Sequence, residues 1–409
     1  MTRDPRYWIW LQLALGYQFD VKELINYFGS AQAVYNSSLK ERAMCELLNK
    51  KKIERMESVT IDHADEVVYA CRQNNWQIIT YDDSRYPHRL RHIDCPPAVL
   101  YADGRFPDID RYAAIGIVGT RHASPYAMTA TRLLSRGLAE CGAIIVSGGA
   151  LGVDSAGHRG ALDSGGVTIA VLGCGLGTRY LSKNDDLRTE IARSGAVITE
   201  FVPYTQAGKH TFPMRNRIIS GLCDAVLIGE AGERSGSMIT ANYAIEQGRD
   251  VFVLPSSLLD DRFLGCNRLI DQGAMIATSP ERILGLYSGR YSTLDISRAR
   301  TMAQLKNSIV STGGKAVELQ QEQYSFDTIT QDRHTRDLQQ QQELSLSGNE
   351  KAVFDALGDE PMYIDVIANK AGVTVANALI SMTLLEMKNL IVAMPGKLYK
   401  RKESSICQS

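Results

Sequence analysis

No acid interrupts the chain between Glu200 and Asp224. Within that interval the stretch KHTFPMRNRIISG, Lys209–Gly221, gathers Lys209, Arg215 and Arg217 beside His210, with Phe212 and Pro213 among them. Cations interleaved with an aromatic suit a backbone phosphate and a stacked base. Ile218 and Ile219 then resume an apolar pattern, so the cluster is expected where a loop enters a helix. A helix start adds unpaired amide donors and partial positive charge for an anion. A solvated basic turn ahead of a capped helix explains the same residues, so the stretch needs further elements to carry chemistry.

Other chemistries find less support. A phosphate-binding P-loop ends in Gly-Lys-Ser/Thr, and the central part of the chain has none, so ATP hydrolysis is not supported. Gly173-Cys174-Gly175 resembles the opening of a dinucleotide fingerprint, but the third glycine is displaced and the motif follows a third strand rather than a first. Asp154 and His158 stand one helical turn apart and could pair, near Ser147 and Ser155. The Gly-x-Ser-x-Gly elbow of a hydrolase is absent, and Asp154 reads better as a helix cap. Glu200, Glu230 and Glu246 have no metal-ligand spacing, and the eight cysteines form no CxxC pair. Scattered cysteines argue against zinc and against a disulfide framework, and fit a reducing cytoplasm.

The elements that position these residues follow from the apolar pattern. The 409 residues suffice for two or three domains, and 44% hydrophobic residues supply a full core. Net charge is -1, so any case for nucleic acid is local rather than global. Strand-length apolar runs at Ala114–Val118, Ala143–Ser147, Val167–Leu172, Ala196–Glu200, Ala225–Gly229, Val251–Leu254 and Met275–Ala277 alternate with helical segments such as Met128–Cys141. That alternation predicts a doubly wound, mostly parallel sheet with helices on both faces. Function in such sheets collects at the carboxyl ends of the strands. There the chain carries Val118-Gly119-Thr120-Arg121, Ser147-Gly148-Gly149, Gly173-Cys174-Gly175 and, before a helix, Ser235-Gly236-Ser237. Glycines admit close backbone approach to an anion, and Arg121 adds a fixed cation.

Around this centre, residues 1–80 read as a small helical module, with Trp8, Leu11 and Leu15 on one face. Pro87, Pro96 and Pro97 mark entry to the central domain over 81–287, with Ala98–Tyr101 as a short strand. Residues 288–345, rich in Gln, Ser, Thr and charge, read as a linker. Residues 346–402 have the helix, helix, helix, hairpin order of a winged helix. Its third helix, Val375–Lys388, has no cation before Lys388, and only Lys397, Lys400 and Arg401 in the wing are basic. That favours a protein contact over reading of a DNA groove. The apolar stretch Trp8–Leu15 is too short for a membrane span, so a soluble, intracellular protein with no membrane partner is expected.

Six motifs recur in one order: IVGTR at Ile117–Arg121, SGGALGVDSAGHRGAL at Ser147–Leu162, TIAVLGCGLG at Thr168–Gly177, FPMRNRIISGL at Phe212–Leu222, ERSGSMITANYAIEQGRDVFVLP at Glu233–Pro255 and GCNRLIDQGA at Gly265–Ala274. Over roughly residues 80–285 the chain resembles the DNA-processing protein A (DprA/Smf) family. The resemblance implies an extended Rossmann-like domain that binds single-stranded DNA, needs no cofactor or metal, and catalyses nothing. It implies a homodimer that loads RecA recombinase in natural transformation and helps displace single-strand-binding protein. It also implies a DNA site built from Gly119, Arg121, Gly148, Gly149, Lys209, Phe212, Arg215, Asn216, Arg217 and Ser237. The chain departs from the family at His122, where a second Arg is common, and in its amino-terminal module, which matches loosely. Two other readings share the glycine-rich sheet edge: a nucleoside-monophosphate phosphoribohydrolase, whose PGG-type loop is missing here, and a small-nucleotide sensor without catalysis.

Overall fold

The computed structural model describes residues 4–179, 182–311, 348–358, 361–387, 390–394 and 398–401. Residues 1–312 and 313–409 form two separate units. In the first, the apolar runs become strands β3 (Ala114–Val118), β4 (Ile144–Ser147), β5 (Thr168–Val171), β6 (Ala196–Thr199), β7 (Ala225–Ile228), β8 (Asp250–Val253) and β9 (Met275–Ile276). Two more, β1 (Gln77–Thr80) and β2 (Val99–Gly104), complete a nine-stranded sheet of order β1-β2-β6-β5-β4-β3-β7-β8-β9. The strands from β6 to β9 pair in parallel, whereas β2 runs antiparallel to β6 and β1 antiparallel to β2. The chain winds outward from β3 through β4, β5 and β6, then returns to place β7 on the other side of β3. At such a reversal, consecutive loops leave toward opposite faces and open a crevice at the carboxyl edge.

Both faces are covered, as continuous apolar strands require. Six short helices, α1 to α6, span Pro5 to Gln73. Of the later helices, α7 (Pro125–Glu140) and α8 (Val153–Asp163) cover one face, where Leu134, Leu138, Val153 and Ala161 pack on Ile115, Ile117 and Leu227. Helix α9 (Asp185–Ser194) sits beside α8 over β5 and β6. On the other face α10 (Thr211–Gly221), α11 (Gly236–Glu246) and α12 (Leu264–Asp271) pack Ile218, Ile219, Ala241 and Leu269 on Val118, Val146 and Ile198. His158 of α8 is fully buried, and its Nδ1 lies 2.7 Å from Thr168 Oγ1 on β5. Burial, helped by the nearby Arg215 charge, pulls its pKa down to about 3.

The helical module is joined to the sheet by buried polar bonds. Gln12 Nε2 donates to the Glu200 carbonyl at 2.8 Å and Tyr101 Oη donates to Gln12 Oε1 at 2.9 Å. Arg217 of α10 donates to both Glu200 carboxylate oxygens, at 2.9 and 2.6 Å, and to the Tyr17 carbonyl at 3.1 Å. Both side chains are almost fully buried. Burial pushes the Glu200 carboxyl up, and Arg217 opposes that shift.

Two differences from the sequence reading have local causes. The segment expected to be helical to residue 80 turns at Asn74–Asn75 and ends in β1, whose partner β2 lies beyond three prolines. The segment expected to leave the sheet as a linker at 288 stays on it, with Tyr291, Leu294, Ile296 and Met302 against α7 and its neighbours. Residues 312–345 of that expected linker lie outside the described residues. In the second unit, α13 (Pro280–Leu284) and α14 (Met302–Ser311) of the first are followed by α15 (Asn349–Ala356), α16 (Ile364–Ala371) and α17 (Val375–Met387). A short strand β10 (Met362–Tyr363) precedes α16 and pairs with β12 (Leu398–Arg401), which pairs in turn with β11 (Ile391–Met394). Helix α17 exposes Val375, Leu379, Ile380 and Leu384. Arg401 is turned inward, donating to the Phe354 carbonyl at 2.8 Å; Lys388 and Lys397 lie outside the described residues.

Two stability outcomes follow. Arg217→Met strands the buried Glu200 carboxylate and is expected to cost about 3–5 kcal/mol in denaturant unfolding, with partial recovery when Glu200→Leu is added. The His158 ring stays neutral in the fold but takes a proton in the unfolded chain below about pH 6.5. Its contribution is therefore complete above that pH and is lost as pH falls toward 3, with a slope of up to about 1.4 kcal/mol per pH unit. A His158→Gln protein should show a flatter stability profile over that window than the parent chain.

Candidate nucleic-acid interface

A narrow cleft opens at the carboxyl ends of β3, β4 and β5, lined by Arg121, Gly148, Gly149, Leu172, Gly173, Arg188, Phe212 and Arg215 among others. Its floor is organised by Arg215. This guanidinium is buried, and it donates to the Gly148 carbonyl at 2.6 Å and to the Val171 carbonyl, while Nε reaches Asn216 Oδ1 at 3.2 Å. A Cβ on Gly148 would lie 2.5 and 2.6 Å from the Arg215 nitrogens and 2.6 Å from Asp154 Oδ2. So the glycine is required by the arginine and aspartate that close on it. Burial pushes the Asp154 carboxyl up, while Arg215, backbone amides and Arg121 pull it back. Asn216 continues the brace by donating to the Gly236 carbonyl at 3.4 Å, at the start of α11.

The outward-facing groups stand on this floor. Helix α10 starts at Thr211, whose hydroxyl donates to the Gly173 carbonyl at 2.5 Å. The Phe212 ring lies directly over Gly173, where a Cβ would meet Cδ1 at 2.8 Å. Arg121, exposed in the loop after β3, stacks on that ring with its guanidinium carbon 5.0 Å from the centroid. The Arg121 loop is held from both ends. Glu230 after β7 accepts from the Ser124 amide at 3.0 Å and its hydroxyl at 2.5 Å, and the Thr120 amide donates to the Glu230 carbonyl at 2.8 Å. Gly119 packs on Val153, leaving no room for a side chain. Gly149 has φ +69° and its carbonyl accepts from Asn184 Nδ2 at 3.1 Å. Lys209 is exposed in the turn before α10, which Thr211 closes through Gly208. Among the described residues Lys209 has no ion-pair partner within 4.0 Å.

The sequence-predicted residues thus divide. Arg121, Phe212, Gly148, Gly149 and Arg215 meet in the cleft, and Lys209 lies one turn before Phe212. Arg217 points away from it into its bond with Glu200. Ser237 is buried, its hydroxyl 2.7 Å from that of Ser235 within the cap of α11. Sequence reasoning missed Arg188, which α9 brings to the cleft, and the Glu230–Ser124 brace; both depend on partners far along the chain and carry no local motif. Asp154 and His158 do not form the pair their spacing allows, because His158 faces Thr168 while Asp154 faces the Gly148 turn. A roomier cleft of about 520 Å³ lies around Arg89, Asp110, Arg111 and Tyr291 at the opposite edge of the sheet. There Arg89 is committed to Asp110 at 3.0 Å and to the buried Asp224 at 3.2 Å. Among the described residues no cluster of His, Cys, Asp or Glu could hold a metal ion, and no helix is long and apolar enough to cross a membrane.

With this geometry in hand, comparison with known proteins is direct. The family model described as DNA recombination-mediator protein A matches residues 77–288, and the DprA winged helix domain matches residues 338–397. Protein Smf of Synechocystis is 34% identical over 334 residues, 81% of each chain. The DNA processing protein DprA of Streptococcus pneumoniae is 42% identical over 202 residues, covering 49% of this chain and 71% of its own. The X-ray structure of DprA from Streptococcus pneumoniae aligns with a TM-score of 0.61 at 33% identity, covering 70% of this chain and 98% of that one. A nine-stranded sheet with its arginine-floored cleft, the motif order and these matches place the chain in the DprA/Smf family of DNA recombination mediators.

Proposed function

We propose that the chain binds single-stranded DNA, with little sequence preference, along the carboxyl edge of β3, β4 and β5. The carrying observation is the Arg121 guanidinium over the Phe212 ring, which itself covers Gly173, with exposed Lys209 in the turn that enters the same helix. A guanidinium stacked on a ring keeps its N–H edge for phosphate. A base layered on its outer face extends the stack, and every base has such a face. Duplex DNA offers no unstacked base, which favours the single strand. Gly148, Gly149, Arg215 and Asn216 shape the floor from beneath, and Gly119 and Ser237 set the loops beside it.

On this reading the protein is a cytoplasmic, non-catalytic mediator. It coats incoming single strands, loads RecA recombinase, helps displace single-strand-binding protein, and works as a homodimer in natural transformation. Family membership supports that assignment. The buried, mutually separate Asp154 and His158 support the absence of a hydrolytic centre in the cleft.

In a gel-shift series over rising salt, the double change Arg121→Ala and Lys209→Ala should bind single-stranded DNA much more weakly than the parent chain. It should also show a shallower salt slope, because each lost phosphate contact releases fewer counterions. Identical curves would defeat the proposal. Phe212→Ala should cost about 1–3 kcal/mol of binding, as expected for one lost stacking platform; unchanged affinity would make the ring a packing element over Gly173 only.

A further inference from the structure

Phe212 is enclosed between Gly173 and Arg121, yet a second ring on the same floor is open. Tyr204 is 54% exposed and has φ +67°, a left-handed conformation that a bulky residue rarely adopts. Its ring lies against Gly177, where any Cβ would overlap it, and its amide lies against Gly175. The loop after β5 therefore seats Phe212 on Gly173 and Tyr204 on Gly177. Four residues separate these seats, a span of at most about 14 Å, which a short unstacked strand covers.

The Tyr204 turn is a built structure. Gly175 N donates to the Thr205 carbonyl at 2.9 Å, Thr178 Oγ1 donates to the same carbonyl at 2.8 Å, and Thr205 Oγ1 donates to the Val202 carbonyl at 2.7 Å. The ring is oriented by Trp76, with centroids 6.2 Å apart at 59°, and by Asn74 Nδ2 at 3.5 Å from its hydroxyl. No acid occurs in residues 173–179 or 201–210, whereas Arg179 and Lys209 are exposed there. Isolated exposed tyrosines are ordinary on protein surfaces. Here the ring is held outward at a strained backbone, on a glycine loop shared with the cleft, and strain of this kind gathers at ligand-gripping sites.

We infer that Tyr204 is a second base-stacking platform, which takes an unpaired nucleobase of the same strand whose phosphate lies at Arg121 and Lys209. This rests on the single-stranded-DNA reading above and extends it along the loop after β5 toward the amino-terminal module. The strand leaves the cleft past Gly175 and Gly177 and stacks on Tyr204 beside Trp76.

The test uses the full chain and an oligothymidylate of about 20 nucleotides, long enough to span one such groove. Tyr204→Asn removes the ring and keeps a residue that tolerates the left-handed backbone. It should weaken binding roughly 5- to 150-fold, the range for one lost base stack, while the unfolding midpoint stays near that of the parent chain. Tyr204→Trp should restore affinity, and its added fluorescence should be quenched by the oligonucleotide, relative to the parent's response. If Tyr204→Asn binds like the parent while Arg121→Ala and Phe212→Ala weaken binding, Tyr204 only packs on Trp76 and the inference fails alone. If none of the three weakens binding, the single-stranded-DNA reading fails and takes this platform with it.

Discussion

The carboxyl edge of the sheet depends on one buried cation. Arg215 reaches from α10 beneath the turns after β4 and β5 and ties their carbonyls together. A guanidinium taken out of water needs its donors satisfied, or burial costs far more than it returns. Two backbone carbonyls, Asn216 and the field of Asp154 meet that need, and they dictate the rest of the floor. Gly148 is excluded from bearing a side chain, Asn216 is drawn to the start of α11, and α10 is brought close enough for Phe212 to cover Gly173. The exposed cations, Arg121 and Lys209, stand on a surface whose shape a different cation has already set.

This division of labour among like residues explains what could be read in the chain and what could not. The parallel strands were legible because a strand buried on both faces is apolar along its whole length, as at Ala225–Ile228. The carboxyl edge was legible from the same pattern as the place where functional loops gather, whereas the strand order was not. The antiparallel edge was not: Gln77–Thr80 is short, follows a helix, and becomes a strand through a partner around twenty residues on. The extent of sheet packing beyond 288 was equally hidden, because Tyr291 and Leu294 are spaced too irregularly to announce a face.

Within the cleft, the motif Phe212–Arg217 identified the right helix but not the separate fates of its arginines. Arg215 and Arg217 are two residues apart, so a helix turns them roughly 200° away from each other. One enters the floor of the cleft and the other meets Glu200 beneath the helical module. Residue type gives no warning of this, since the deciding groups, the Gly148 and Tyr17 carbonyls, are contributed by distant backbone. Arg121 was better placed for prediction. It lies in the loop that leaves a strand end, and it meets an aromatic from α10 and the field of Asp154.

The Arg217 bond also changes how the amino-terminal module is understood. Gln12 and Tyr17 grip the Glu200 carbonyl, Val202 and Arg217, which bound the loop that delivers Lys209 and α10. A module loosely matched in sequence is thereby fastened to both ends of the segment that carries the cations. Buried bonds of this kind transmit displacement rather than absorb it, because interiors are close-packed and their polar groups have no alternative partners. The helical module is thus tied, through Gln12 and Tyr17, to the placement of α10 at the cleft.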